Sequence, residues 1–179
     1  VGSEMCIRDR DKLKALVEKY NIPYFPMSMA KGLLPDDGPL SALSCRSTIM
    51  KEADVVMMVG ARLNWLLSFG KGKWSPDTKF IQLDVEPQEI DCNRPIAAPV
   101  VGDMGIALDM IAASLAGKTM SADPQWVASL QAETKAKDGK FAARLDAAKS
   151  AMPMNHWTAL GVIKPCLLYT SPSPRDRTR

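Results

Sequence analysis

The stretch that decides the fold is Asp54-Val-Val-Met-Met-Val-Gly60, a short continuous apolar run that ends in glycine. A run of this length without polar alternation predicts a strand that is buried on both faces. Two further runs have the same character: Lys79-Phe-Ile-Gln-Leu-Asp84, with an acid at its carboxyl end, and Pro99-Val-Val-Gly-Asp103, which leads into a helix. Strands that alternate with helices predict an α/β protein with a parallel, doubly wound sheet.

Helical periodicity and capping residues give the rest of the secondary structure. Ser41 is a suitable cap for the helix that precedes the first strand, and Pro124 suits the first turn of a long helix. A loop broken by proline and glycine, over 26–39, is too long to be a simple connector. The remaining predicted elements are a helix over 11–20, a short strand over 22–25, a helix over 41–53, and helices over 104–115 and 124–148.

Length and composition exclude several classes of protein. A chain of 179 residues has room for one ordinary domain and part of a second. The net charge of +3 gives no electrostatic support for nucleic-acid binding, and the four cysteines form no CxxC pair that would indicate a zinc site. There is no signal-peptide pattern and no apolar stretch of membrane-spanning length, so we expect a soluble, cytoplasmic protein without a membrane partner.

The two ends of the chain differ in composition from the interior. Residues 1–10 and 166–179 are rich in arginine and resemble translated sequencing-adapter read-through, so we leave them out of the fold prediction. Without them the interior is close to neutral. We expect both segments to pack against nothing. The alternative for the last segment is a disordered tail, because its Ser-Pro-Ser-Pro-Arg stretch buries little apolar surface.

Candidate binding residues follow the three predicted strands. In an open parallel sheet, ligands bind beyond the carboxyl ends of the strands. Arg62 is suited to a phosphate, Asp84 to the vicinal hydroxyls of a ribose, and Asp103 with the backbone of Met104 to an adenine edge. The alternative is purely structural: Asp103 caps its helix, and Arg62 forms a surface ion pair.

Other catalytic and binding motifs do not occur. The chain has neither a GxGxxG fingerprint nor a P-loop, and His156, its single histidine, has no carboxylate partner nearby in sequence. No nucleophile stands beside a base, and no cluster of metal-ligating residue types is seen. We therefore predict no catalytic residue and no metal ligand within the chain.

Several sequence words together resemble one enzyme family. The word Ala30-Lys-Gly-Leu-Leu-Pro-Asp-Asp-Gly-Pro-Leu-Ser41 is followed by Gly60-Ala-Arg-Leu-Asn-Trp-Leu-Leu67, Phe80-Ile-Gln-Leu-Asp-Val-Glu-Pro87 and Ile96-Ala-Ala-Pro-Val-Val-Gly-Asp103. In this order the words resemble the central domain of the oxalyl-CoA decarboxylases, and the resemblance covers residues 11–165. It implies a Rossmann-like central domain over 11–118, a helical linker over 119–153, and the start of a second α/β domain, the C-terminal thiamine-diphosphate-binding domain, over 154–165.

The resemblance also implies an activity for the intact enzyme. Enzymes of this family convert oxalyl-CoA to formyl-CoA and carbon dioxide, using magnesium-bound thiamine diphosphate, as homotetramers. The cofactor performs the carbanion chemistry and the protein orients it. The activating glutamate comes from the N-terminal domain, and the metal and diphosphate ligands come from the C-terminal domain. We therefore expect the present chain to be inactive by itself.

Two binding sites are implied residue by residue. The family's central domain holds ADP as an activator, and the matching positions are Arg62, Asp84, Asp103 and Met104, with methionine replacing a commoner isoleucine. The part of the acyl-CoA site that matches consists of Leu43, Ser44, Cys45, Arg46, Ser47 and Asn155. Ser44 and Cys45 stand where the family more usually has alanines, and His156 stands where it commonly has tyrosine.

Two alternative functions stay open. A 2-hydroxyacyl-CoA lyase has the same three-domain plan and cofactor, and the Arg-Leu-Asn-Trp word occurs in both families. The second alternative is a non-catalytic adenine-nucleotide-binding module, because every candidate nucleotide ligand belongs to one domain. A complete coding sequence would separate these alternatives, since a downstream metal motif excludes the free-standing module.

Overall fold

The computed structural model describes residues 7–27, 30–149 and 153–170. The chain divides into two compact units, one that ends at Gln131 and one that begins at Ala132. Residues 1–6 and 171–179, which make up most of the two adapter-like segments, lie outside the described residues, and the origin of both segments stays a prediction.

The first unit contains a parallel three-stranded sheet. Its strands are β1 (Val55–Val59), β2 (Lys79–Asp84) and β3 (Ala98–Val101), in the order β1-β2-β3. Val55 pairs with Lys79, and Ile81 pairs with Ala98. The predicted parallel sheet is therefore confirmed.

The described residues form five α-helices. They are α1 (Ile7–Lys19), α2 (Arg46–Glu52), α3 (Met104–Ser114), α4 (Pro124–Ala148) and α5 (His156–Thr170). Short 3-10 turns at Leu43–Cys45, Trp65–Gly70 and Pro87–Glu89 lie in the connections.

One face of the sheet packs against α1 and α3. Leu16 and Val17 of α1 are 4% exposed, and they share a core cluster with Leu83 of β2 and Leu108 of α3. Leu13, Leu16 and Val17, which have the spacing of one helical face, thus form the buried face of α1. Each fully buried aliphatic side chain contributes on the order of 2 kcal/mol to stability, so this cluster is a main source of the domain's stability.

The opposite face packs against α2 and the chain between β1 and β2. Met58 and Phe80 point to this side, where they meet Met50 of α2 and Trp74. The Trp74 and Phe80 rings meet edge to face, with centroids 5.0 Å apart. Helices therefore cover both faces, as a doubly wound sheet requires.

Arg94 connects the loops on this second side. Its guanidinium lies over the ring of Phe80 at 5.0 Å. It also donates hydrogen bonds to the carbonyl oxygens of Gly70 (2.9 Å), Ser75 (3.3 Å), Pro76 (2.7 Å) and Thr78 (2.8 Å). These carbonyls belong to the connection between β1 and β2, so one side chain from the next connection fixes its course.

The start of the chain differs from the prediction. Helix α1 begins at Ile7, four residues before the boundary drawn at Asp11, and Asp9 is buried at 9% exposure. The expectation that residues 1–10 pack against nothing is therefore wrong for Asp9. Asp9 stands in the first turn of α1, where a negative charge is favourable beside the positive end of the helix dipole, and this favours the earlier start.

Three local predictions about the sheet region are also wrong. The strand expected over 22–25 is reduced to one isolated bridge between Tyr24 and Ser41. Ser41 belongs to that bridge and caps no helix, since the following helical segment begins with the 3-10 turn at Leu43–Cys45, whose capping residue is Ala42. Strand β1 is not buried on both faces, because Val55 is 56% exposed.

The second unit consists of helical segments. Within it, the Phe141 and Trp157 rings meet edge to face at 5.4 Å, and the hydroxyl of Thr158 donates to the carbonyl of Ala148 at 2.7 Å. Helix α5 runs through the whole of 156–165 and ends at Thr170. The assignment of 154–165 to a further domain stays a prediction. No helix in the described ranges is both long and apolar enough to cross a membrane.

Candidate functional site

The carboxyl ends of the three strands are joined to one another by backbone hydrogen bonds. The N–H of Gly60, just after β1, donates to the carbonyl of Leu83 at 2.8 Å. The N–H of Gly102, just after β3, donates to the carbonyl of Asp84 at 3.1 Å. Gly60 has φ 59° and Gly102 has φ 152°, conformations that favour glycine, so the chain turns sharply at this edge. The residues that follow each strand are therefore held at one edge.

Asp84 is the last residue of the central strand of this sheet and is 5% exposed. Its Oδ1 accepts a hydrogen bond from the N–H of Glu86 at 3.1 Å. Among the described residues, Oδ2 has no donor. A carboxylate held by one oxygen and open at the other is able to accept from a hydroxyl pair of a ligand.

Arg62 forms an ion pair with Glu89. Its Nη1 lies 3.1 Å from Oε1 of Glu89, and the Arg62 side chain is 41% exposed. The two residues line a small cavity of about 130 Å³ between the connections that leave β1 and β2. The ion-pair alternative considered for Arg62 is thus realised. Exposed pairs of this kind contribute about 0–1 kcal/mol, so a phosphate is able to replace the glutamate at small cost.

Polar side chains that sequence reasoning missed shape this cavity. Asn64 caps the 3-10 turn at Trp65–Gly70 by accepting from the N–H of Leu66 at 3.0 Å. The Asn93 amide donates to the carbonyl of Leu63 at 2.8 Å, and the buried Gln82 amide donates to the carbonyl of Glu89 at 3.2 Å. Asn64 lies within the word Gly60-Ala-Arg-Leu-Asn-Trp-Leu-Leu67 and directly precedes the turn, so its capping role was open to prediction. Asn93 and Gln82 make contacts with no local sequence signal.

Asp103 and Met104 begin α3. Asp103 caps the helix, since its Oδ1 accepts from the N–H of Ile106 at 2.9 Å. This is the structural alternative considered for Asp103. The Met104 side chain is 8% exposed and belongs to the core cluster with Leu83. Only the backbone of Met104 is therefore placed to meet a ligand without repacking the core.

The stretch 43–47, matched to the acyl-CoA site, lies at the start of α2. Leu43 and Ser47 are exposed, whereas Cys45 is fully buried with its thiol donating to the carbonyl of Leu130 at 3.3 Å. Nε of Arg46 is buried and has no hydrogen-bond partner among the described residues. The carboxyl end of α2 lies at the amino edge of the sheet, because Thr78 donates to the carbonyl of Ala53 at 2.9 Å. Since a helix rises about 1.5 Å per residue, the start of α2 lies roughly 10 Å toward the carboxyl edge.

Asn155 belongs to the second unit. Its Oδ1 accepts from the backbone N–H groups of Trp157 and Thr158, at 2.9 and 3.1 Å, and so caps α5. His156 is exposed, with its ring 4.9 Å from that of Trp157. The capping bonds use the side-chain oxygen of Asn155, which leaves its amide N–H groups for other contacts.

The described part of the chain contains no group of three or more His, Cys, Asp or Glu side chains that could hold a metal ion. A magnesium-bound diphosphate needs carboxylate or carbonyl ligands gathered around the ion. The described residues do not fit a thiamine-diphosphate site.

The sequence matches a known protein family over most of the folded unit. Residues 4–111 match the family described as thiamine pyrophosphate enzyme, central domain. The chain belongs to the thiamine pyrophosphate enzymes. In this family the cofactor is thiamine diphosphate, so the sheet described above is the central domain of a thiamine-dependent enzyme.

Individual relatives narrow the comparison. The chain is 45% identical to oxalyl-CoA decarboxylase of Escherichia coli over 157 residues, which are 88% of this chain and 28% of that protein. It is 37% identical to 2-hydroxyacyl-CoA lyase of Arabidopsis thaliana over 176 residues, a match that covers 93% of this chain and 29% of that protein. It is 33% identical to human 2-hydroxyacyl-CoA lyase 1 over 149 residues, a match that covers 83% of this chain and 26% of that protein. The chain therefore spans less than a third of the length of these relatives.

Proposed function

We propose that this chain is the central domain of an oxalyl-CoA decarboxylase, and that the carboxyl edge of its sheet binds ADP as an activator. One observation carries the nucleotide part of the proposal. Arg62, Asp84 and Asp103 follow three neighbouring parallel strands, whose ends are joined by backbone hydrogen bonds. That edge is where open α/β sheets bind ligands.

Asp84 accepts the ribose hydroxyls in this proposal. The supporting observation is its second carboxylate oxygen, which has no donor among the described residues, on a side chain that the Glu86 N–H already orients. A pre-oriented acceptor loses little conformational entropy when the ligand binds.

Arg62 binds the diphosphate in place of Glu89. The ion pair holds the guanidinium in the cavity beside the strand ends, and the pair is weak enough for a phosphate to displace the glutamate. Adenine then lies toward the first turn of α3, where Asp103 and the backbone of Met104 contact it. Glu89 competes with the phosphate, so Glu89→Gln is expected to strengthen ADP binding by a few-fold.

The rest of the proposal concerns the complete enzyme. It decarboxylates oxalyl-CoA to formyl-CoA with thiamine diphosphate and magnesium, as a cytoplasmic homotetramer. Leu43, Ser44, Cys45, Arg46, Ser47 and Asn155 contribute to the acyl-CoA site. The buried Nε of Arg46 supports this assignment, since a buried donor without an acceptor costs about 1–3 kcal/mol and a phosphate oxygen would satisfy it.

A 2-hydroxyacyl-CoA lyase is the second candidate, and the 37% identity to the Arabidopsis enzyme favours it. The two activities are separated by assaying a complete protein that carries this domain with oxalyl-CoA and with a 2-hydroxyacyl-CoA. Release of carbon dioxide from oxalyl-CoA supports the decarboxylase. Release of an aldehyde from the hydroxyacyl substrate, with no decarboxylation, contradicts it.

The ADP site is tested by isothermal titration of the same complete protein at two ionic strengths. Asp84→Ala removes hydrogen bonds to a charged acceptor, worth about 1.5–3 kcal/mol, and is expected to weaken ADP binding about 10- to 150-fold. Arg62→Ala is expected to cost a similar amount at low salt and less at high salt, because salt screens the exposed phosphate contact.

Two control variants make the titration specific. Asp84→Asn keeps an acceptor for the Glu86 N–H and is expected to lose less affinity than Asp84→Ala. Asp77→Ala removes an exposed carboxylate just before β2, at the amino edge of the sheet, and is expected to leave ADP binding unchanged. Unchanged affinity in Asp84→Ala would place the nucleotide elsewhere and leave the nucleotide site resting on fold analogy alone.

A further inference from the structure

We propose that the small cavity beside the strand ends is a thiol-modification site, where Cys92 forms a mixed disulfide with a small acidic peptide thiol and thereby closes the cavity to a nucleotide. The consequence for the nucleotide rests on the proposed ADP site, whereas the reaction at the thiol does not. Three groups in the wall of this one cavity carry the proposal: the thiol of Cys92, the buried amide of Gln82 and the guanidinium of Arg62.

The thiol of Cys92 is accessible and held in place. Of the two cysteines whose side chains the structure describes, Cys45 is buried and Cys92 is exposed. The Cys92 thiol donates to the carbonyl of Gln88 at 2.7 Å. The preceding residue, Asp91, has φ 59°, and its Oδ1 accepts from the N–H of Ile96 at 2.7 Å. A non-glycine residue keeps this conformation only where its surroundings fix it, so the turn holds the thiol at a defined place in the cavity wall.

The amide of Gln82 supplies a buried acceptor that faces the same cavity. Gln82 lies in β2 and is 1% exposed. Its Nε2 donates to the carbonyl of Glu89 at 3.2 Å, whereas its Oε1 has no donor among the described residues. Most buried polar side-chain atoms have a hydrogen-bond partner. An open acceptor in a cavity wall is therefore suited to a ligand that carries an N–H group, such as a peptide amide.

The guanidinium groups make the cavity suitable for an anion. Arg62 lies in the wall with its Nη1 3.1 Å from Oε1 of Glu89. A partly exposed ion pair of this kind contributes little to stability, so the carboxylate of a ligand is able to replace the glutamate. Arg94 also lines the cavity, and its guanidinium donates to main-chain carbonyls of the preceding connection. Two arginines and one glutamate thus give this wall a positive balance of charge.

The three groups together select one class of reagent. Cys92 needs a disulfide sulfur, Gln82 an amide N–H and Arg62 a carboxylate, and a small acidic peptide disulfide carries all three. The thiolate of Cys92 attacks one sulfur of that disulfide, so a new S–S bond forms as the original S–S bond breaks. The leaving thiolate takes the bonding electron pair and the proton that the Cys92 thiol has lost. The disulfide is itself the oxidant, and no further reactant is needed.

The adduct then competes with the nucleotide for Arg62. The proposed ADP site places the diphosphate against this guanidinium, in the cavity that the peptide part of the adduct fills. Modification of Cys92 therefore prevents the activator from binding, and a reducing thiol restores the site, since mixed disulfides of this kind are reversible.

The first experiment measures ADP binding before and after modification. The complete protein that carries this domain is treated with oxidised glutathione, and peptide mass mapping locates the mixed disulfide. Treated wild type is expected to bind ADP about tenfold or more weakly, because the charged contact to phosphate is lost, and reduction is expected to restore the affinity. Cys92→Ser is the matched control, and it is expected to bind ADP equally well with and without treatment.

The second experiment needs no ADP and measures the rate of adduct formation at Cys92. Arg62→Gln is expected to slow the reaction with anionic oxidised glutathione several-fold at low ionic strength, and to leave the reaction with cationic cystamine equal or faster. Lys79→Gln removes an exposed cation at the opposite end of β2 and is expected to change neither rate.

The outcomes separate this proposal from the ADP site. Absence of an adduct at Cys92, or an Arg62→Gln rate equal to that of wild type with oxidised glutathione, would overturn the modification site. An adduct that leaves ADP affinity intact would overturn its effect on the nucleotide. If untreated wild type binds no ADP while the adduct forms with the expected dependence on Arg62, the proposed ADP site fails and the modification site is supported.

Discussion

Replacing Arg94 is expected to destabilise the sheet more than replacing any exposed arginine. Its guanidinium donates hydrogen bonds to four carbonyl oxygens of the connection between β1 and β2, and it also lies over the ring of Phe80. A hydrogen bond to a charged group is worth about 1.5–3 kcal/mol, but water reaches part of these carbonyls after the change and single contributions do not add. We therefore expect Arg94→Ala to lower the free energy of unfolding by about 3 kcal/mol. That loss is a large fraction of the free energy of unfolding of a typical domain, which is roughly 5–15 kcal/mol.

The assay is urea denaturation followed by far-ultraviolet circular dichroism, with Arg62→Ala as the matched control. Arg62 makes one partly exposed ion pair, so its loss is expected to cost at most about 1 kcal/mol. Arg94→Lys keeps the charge but not the planar fork of donors, and an intermediate loss is expected. If Arg94→Ala and Arg62→Ala gave equal losses, the argument that Arg94 fixes the connection would be refuted.

Three further predictions follow from the described contacts. Asp103→Ala is expected to cost about 1 kcal/mol through loss of the α3 cap, whereas Asp103→Asn, also a good cap, changes stability little; thermal denaturation of both variants decides this, and equal losses would contradict it. The pKa of Lys12 is raised by its hydrogen bond to Asp109, and the pKa of Tyr24 is raised by burial and then by nearby acids. The folded state thus holds both protons more tightly than the unfolded state, so both groups contribute to the free energy of unfolding below about pH 10, and these contributions are lost as the pH rises further. Tyr24→Phe combined with Asp109→Asn is expected to flatten this fall of the free energy of unfolding between about pH 9 and pH 11. An unchanged dependence on pH in the double variant would contradict the assignment. Finally, calorimetry of this chain with thiamine diphosphate and magnesium is expected to give no saturable heat, and a saturable signal would reveal a site among its residues.

Sequence patterns predicted the central elements well because those elements carry their own signals. Strand β2 has the predicted bounds, since Lys79–Asp84 is a short apolar run closed by an acid. Helix α4 also has its predicted bounds, with proline in the first turn, where its missing N–H costs nothing. The Asp103 cap gave the start of α3 in the same way.

The failed predictions concern contacts that are distant in sequence. Residues 22–25 have strand-like composition, but a strand forms only where a neighbour supplies hydrogen bonds, and here the structure has only the Tyr24–Ser41 bridge. Ser41 was assigned to a cap because its residue type suits one, yet its place in that bridge determined its role. In both cases the tertiary surroundings decided the outcome: Ser41 is used in a bridge, and residues 22–25 form an isolated bridge and no strand.

The candidate site was predictable in its position and not in its internal contacts. That Arg62, Asp84 and Asp103 follow neighbouring strands is a consequence of parallel pairing, which the apolar runs predicted. Two contacts join residues about 30 positions apart: the ion pair of Arg62 with Glu89, and the hydrogen bond from the Asn93 amide to the carbonyl of Leu63. Neither contact has a periodic signal in the sequence. The burial of Met104 likewise depends on how α3 packs on the sheet.

The most direct test of the nucleotide site is an ADP titration of a protein that carries this domain, followed by the backbone amide shifts of the domain in two-dimensional NMR. The account predicts saturable shifts at Gly60–Asn64, at Asp84–Glu86 and at Gly102–Met104, the three segments that leave the carboxyl edge of the sheet. Shifts that saturate at other segments, with these three unchanged, would contradict it.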